Sequence, residues 1–195
     1  MKAATSRTIV IPADGSPLPF TPTGEAIYEQ RRATNQKDLP SSRCIAQGIP
    51  ATLWVPVPFK IVTTPGLTLM LFEEFRHFRQ IFTDGRPFTG EDAPSWFGYS
   101  VGKWDGDTFV VESRGFTDQS WLDLEGLPHS EALRLTERYR RKNVGTMEVQ
   151  VGIEDDVMFT KPWTAAPVTL RLVTDTELLE RICENEKDRE HLVGK

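Results

Sequence analysis

From Val62 onward the chain falls into short runs rich in β-branched and aromatic residues, broken by turn formers at intervals that suit an antiparallel sheet. Eight runs stand out: Leu67 to Glu74, Phe78 to Thr83, Trp96 to Trp104, Thr108 to Arg114, Glu131 to Lys142, Thr146 to Glu154, Ala165 to Val173 and Leu178 to Glu184. Met147, Val149, Val151 and Ile153 alternate with Glu148, Gln150 and Gly152, the period of a strand with one buried face. Asp105-Gly106-Asp107 between two runs signals a hairpin, because glycine accepts the positive φ that such a turn demands. Sequential antiparallel strands leave exposed edges unless the sheet closes. The pattern therefore predicts an all-β domain over residues 66–185, an eight-stranded antiparallel up-and-down barrel wide enough to hold one small ligand.

The first 65 residues read differently. Nine of the 14 prolines fall there, each removing a backbone donor and fixing φ, so neither regular sheet nor long helix is expected. The segment reads as an extended arm, interrupted by one short helix with Thr23 as its cap and Ala26 to Ala33 as its body. Trp54, Val55, Val57, Phe59, Ile61 and Val62 make the end of the arm too apolar to hang free, so it should wrap the barrel. Residues 186–195 form a charged tail.

Charge narrows the partners. A net charge of -5 without a Lys/Arg block argues against nucleic-acid binding, which rests on clustered positive charge meeting phosphates. The most apolar run, Leu67 to Phe72, is too short for a membrane span, and Met1 to Val10 lacks the apolar stretch of a signal peptide. Cys44 and Cys183 are the two cysteines, and from chemistry alone a disulfide and two free thiols are both open. No nucleotide-type glycine loop, serine elbow or paired metal ligands appear, and the three histidines are scattered, so no metal or other cofactor is expected.

Three groups of residues carry possible chemistry. The connection from Gly115 to Glu131 is longer than a hairpin requires and holds Asp118, Trp121, Asp123 and His129. An aspartate there can orient His129 as a general acid or base beside an indole wall, or the aspartates can make turns while Trp121 plugs the barrel end. On the run from Leu133 to Arg141, the residues Leu133, Leu135, Glu137, Tyr139 and Arg141 share a face; if it points inward, Glu137 needs a cation such as Arg79 or a ligand donor. Tyr99 offers a hydroxyl to orient a ligand, although an ideal strand puts it opposite Trp96.

The blocks Phe82-Thr83-Asp84-Gly85-Arg86 and Trp96 through Glu112, continuing through Gly115-Phe116, Trp121-Leu122-Asp123, Pro128-His129-Ser130-Glu131, Glu137-Arg138, Thr160-Lys161-Pro162-Trp163 and Cys183-Glu184-Asn185, resemble a large family of functionally uncharacterised bacterial proteins, commonly exported. The likeness extends over most of the chain, with Phe159 standing where relatives often carry tyrosine. It implies a Cys44–Cys183 disulfide and a periplasmic or secreted location. The architecture is similar to lipocalin-like, calycin-type barrels, which licenses no reaction by itself.

The first functional expectation is cofactor-independent acid/base chemistry, a lyase, isomerase or hydrolase step. His129 would transfer the proton, Asp118 or Asp123 would orient it, and Arg79, Tyr99, Trp121, Glu137 and Tyr139 would fix a small, partly apolar substrate. The second is a noncatalytic binding or carrier protein for a lipophilic small molecule. The third is a structural module whose barrel is filled solid.

Overall fold

Alternating patterns build one curled, half-barrel sheet in the computed structural model, which describes residues 1–3, 10–88 and 93–179. Ten strands form one curled sheet: β1 (Lys2–Ala3), β2 (Phe59–Thr64), β3 (Leu67–Phe72), β4 (Phe78–Phe82), β5 (Tyr99–Asp105), β6 (Thr108–Arg114), β7 (Arg134–Asn143), β8 (Thr146–Glu154), β9 (Trp163–Thr164) and β10 (Val168–Arg171). Their order across the sheet is β1-β10-β8-β7-β6-β5-β4-β3-β2, with β9 paired beside β8. The all-β, barrel-like fold predicted from the pattern is thus present. Its two edges touch at one point, where the Met1 and Phe59 backbones exchange hydrogen bonds.

Three details differ from the simple meander. Phe59–Thr64, assigned above to the arm, is a full strand hairpinned to β3, with Pro65-Gly66 at the turn and Gly66 at φ 76°. Pro56 and Pro58 lie just before it and Pro65 just after, so the strand itself holds no proline, and most of its residues are β-formers. The long connection after β4 returns the chain to the same end, so β4 and β5 run parallel and share only two ladder pairs, Ile81 with Ser100 and Phe82 with Val101. The predicted eighth run is not a strand at Leu178 or Leu179, and its remainder, with Cys183 and the tail, lies outside the described residues. Segment 172–179 instead returns along the seam between the edge strands. Lys60 Nζ lies 3.9 Å from Glu177 there, and the Leu179 N–H donates to Glu73 Oε2 at 3.1 Å.

The arm shares the barrel's core: Val10, Ile49, Leu53 and Trp54 are buried in one cluster with Phe59, Phe116, Leu122, Leu135 and Ile153. Its helix α1 spans Pro22–Ala33 and is capped by Thr21, whose side chain accepts from the Gly24 N–H, rather than by Thr23. Proline at the first helical position suits this start, because its absent N–H would have no helical partner there. Gly24 lies so close to the Met158 carbonyl that a Cβ would sit 2.3 Å from the oxygen, which lets the helix dock directly on the sheet's far end. Cys44, which ends a short 3-10 turn, is disulfide-bonded.

Candidate functional site in the barrel

Strand alternation sorts the candidate residues. On β7 the inward positions are Leu135, Glu137 and Tyr139, with Arg141 at the rim; on β6 they are Phe109, Val111 and Ser113; on β5, Ser100, Gly102 and Trp104. Arg79 faces inward on β4. A polar belt therefore crosses four consecutive strands at mid-height. Arg79 Nη1 donates to Glu137 Oε1 at 3.0 Å, Nη2 donates to Glu137 Oε2 and to Ser113 Oγ (2.7 Å), and Nε donates to Ser100 Oγ at 3.1 Å. The Tyr139 hydroxyl donates to Glu137 Oε1 at 2.6 Å, and the two serine hydroxyls lie 3.0 Å apart. Arg79 is 2% exposed and Glu137 0%. Burial opposes the charge of Arg79 most strongly, yet the adjoining Glu137 carboxylate outweighs it and raises its pKa. Burial and the same carboxylate hold the Tyr139 phenol well above its ordinary value. The belt also ties together the strands flanking the short parallel join.

Above the belt the barrel is open. A cavity of about 450 Å³ lies at the end carrying the β2–β3, β5–β6 and β7–β8 turns. Ile61, Met70, Ile81, Phe109, Tyr139 and Met147 form much of its wall. Trp104, 67% exposed, stands at the rim against Phe109 with ring centroids 5.2 Å apart. Room for Phe109 depends on Gly102: a Cβ there would come within 2.6 Å of the Phe109 ring and 2.8 Å of Ile81.

The loop from Gly115 to Glu131 occupies the other end, since β6 runs away from the mouth and β7 returns to it. His129, 2% exposed, does not line the cavity. Its Nε2 is 2.7 Å from Ser120 Oγ and its Nδ1 is 3.1 Å from the Ser130 carbonyl. The carbonyl can only accept, so Nδ1 carries the proton and Nε2 accepts from the serine. Burial lowers the imidazole pKa, offset in part by the Ser130 carbonyl and Asp155.

Neither expected aspartate orients His129. Asp123 is occupied by backbone, its Oδ1 accepting from the N–H groups of Glu125 (2.9 Å) and Leu127 (2.8 Å) and its Oδ2 from Val10 (3.2 Å). Burial raises its pKa and these bonds pull it back. Asp118 is exposed and acts on His129 only through space. Trp121 is buried beneath the Arg31 guanidinium of α1, 4.7 Å from its ring centroid, away from the cavity. Tyr99 is on the outer face, stacked on Phe82 at 5.2 Å with its hydroxyl 3.5 Å from Arg86 Nη1. Ser100 and not Tyr99 takes the inward position, because the two alternate on one strand.

The structure thus brings Arg79, Glu137 and Tyr139 together and separates them from His129, Asp118, Asp123 and Trp121. Ser100 and Ser113 had not been singled out from the sequence. Their signal was faint: Ser113 sits in phase with Phe109 and Val111, a small polar group on a face otherwise apolar. Trp104 lacked one altogether, since a rim position reads like core filling along a single strand. Comparisons with family models, with curated proteins and with solved structures found no match for this chain.

Proposed function

We propose that the protein binds a small, largely apolar molecule in the barrel mouth and holds it without converting it. The observation that carries this reading is the cavity of about 450 Å³, open at one end and walled by aliphatic, thioether and aromatic side chains. Sites of this volume and lining bury most of a small ligand's surface, and apolar burial supplies the affinity. Methionines 70 and 147 add side chains that adjust to ligand shape. A barrel filled solid finds no support in so large a space.

Acid/base turnover at His129 has weaker support. The imidazole lies at the opposite end from the cavity, is enclosed, and has both ring nitrogens engaged within its own loop. Within the barrel, Glu137 is locked to Arg79 and Tyr139, an arrangement that satisfies a buried charge.

Titration with an environment-sensitive apolar dye, and displacement by alkanols of increasing length, tests the proposal. The wild-type protein should bind dye with saturable 1:1 stoichiometry, and Ile61→Trp, which fills the cavity from β2, should reduce dye affinity at least about tenfold while the protein stays folded. Equal binding by both proteins, or none by the wild type, would overturn it.

A further inference from the structure

Resting on the binding reading above, we infer that the ligand is a single-chain anionic amphiphile that enters tail first and leaves its head at the rim, held by Arg141. The argument is a charge account of the cavity. Inside the barrel, among the described residues, the buried cationic side chain is Arg79, and it is neutralised by a bidentate pair with Glu137, its remaining donors going to Ser100, Ser113 and, from Nη1 at 4.0 Å, the Met70 sulfur. An anionic head driven to that depth would lose its hydration and meet no free positive charge, a heavy desolvation cost. The Tyr139 hydroxyl, at the cavity floor, has its proton committed to Glu137 and offers nothing to an anion.

At the rim the balance reverses. Four charged side chains line the opening, Lys60, Asp107, Arg141 and Glu177, together with the Met1 α-ammonium, which donates to the Phe59 carbonyl and whose charge is disfavoured by burial and by Lys60. Asp107 accepts from Arg140 Nε at 3.1 Å, and Glu177 lies near Lys60. Arg141 instead donates from Nε and Nη2 to the carbonyls of Asn143 (3.2 Å) and Val144 (3.0 Å) in the β7–β8 turn. Those bonds hold the guanidinium in place without cancelling its charge, and among the described residues no carboxylate lies within ion-pair distance of it. A fixed guanidinium beside an apolar cavity suits a carboxylate or a phosphate monoester carried on an alkyl chain, because its planar fork matches either oxyanion.

Calorimetric titrations with decanoate, decyl phosphate, decan-1-ol and decyltrimethylammonium, against wild type and Arg141→Gln, test this. The anions should bind about three- to tenfold more tightly than decan-1-ol, the cation more weakly, and the advantage should shrink with added salt. Arg141→Gln should erase the preference for the anions while lowering decan-1-ol affinity by no more than about twofold, and, with two exposed turn hydrogen bonds lost, should lower the thermal midpoint by only about 1–2 °C. 10-Hydroxydecanoate tests direction: with the tail inside, its terminal hydroxyl enters the apolar cavity and weakens binding by about tenfold or more relative to decanoate. Decan-1-ol binding as well as the anions, anion preference surviving in Arg141→Gln, or 10-hydroxydecanoate matching decanoate would overturn the inference and leave the cavity as a binding site. Failure of all four decyl probes to bind would overturn both.

Discussion

Replacing Glu137 with glutamine changes a carboxylate to an amide of nearly the same shape, and so isolates charge from packing. Two of the hydrogen bonds made by Arg79 end on Glu137, and two end on serines that cannot neutralise it. Glu137→Gln therefore leaves a guanidinium at 2% exposure without a counter-ion. Removing one partner of a buried pair costs about 3–5 kcal/mol, and losing two charge-assisted hydrogen bonds at roughly 1.5–3 kcal/mol each leads to the same range. That is a large part of the ~5–15 kcal/mol expected for a domain, equivalent to a drop of about 6–20 °C in Tm for a chain of this size. Guanidinium and thermal unfolding followed by circular dichroism measure it. The double variant Arg79→Met/Glu137→Leu should recover part of the loss: Ser100 and Ser113 still have each other at 3.0 Å, whereas the Tyr139 hydroxyl loses Glu137 and keeps only the Met70 sulfur at 3.9 Å. A loss below about 1 kcal/mol for Glu137→Gln, or a double variant as unstable as the single, would refute the reasoning that the pair is a buried unit stabilised by mutual neutralisation.

Asp123→Ala should destabilise by about 2–4 kcal/mol, because it strips an acceptor from three backbone donors, while Asp123→Asn, which keeps one acceptor oxygen, should lose less; chemical denaturation distinguishes them. The folded pKa of His129 lies below its unfolded value of 6.5, so the unfolded chain takes up the proton first. Its contribution to stability is accordingly full above pH 6.5 and declines as pH falls toward the folded value, and His129→Gln should flatten the Tm-against-pH curve over that window; an unchanged slope would count against a buried neutral imidazole. Trp104→Ala, at an exposed rim position, should shift stability by less than about 0.5 kcal/mol yet weaken binding of the apolar dye several-fold, as fluorescence titration would show.

Much of the barrel was legible because strand alternation is a local property. The inward set of β7, from Leu135 through Glu137 and Tyr139 to Arg141, and that of β8, from Met147 to Ile153, follow from period two alone. The need of a buried Glu137 for a cation was legible for the same reason, since the cost of an unpaired charge is independent of topology. The strand Phe59–Thr64 was hidden by the proline-rich stretch before it, and Tyr99 was misplaced because a hydroxyl advertises chemistry on whichever face it stands. His129 and its neighbouring aspartates looked like a site because they are close in sequence, yet within the loop the backbone claims Asp123 and Ser120 claims the imidazole.

Sequence by itself determined that this chain makes an all-β sheet, which positions of a strand share a face, and that a carboxylate on an inward face would need a cation or a ligand donor. Tertiary structure alone decided which end stays open, which loop seals the other, and which rim charge is left without a counter-ion. The physical reason is range: alternation and propensity act within a few residues, whereas a cavity and its charge balance arise only where strands distant in the chain are brought side by side.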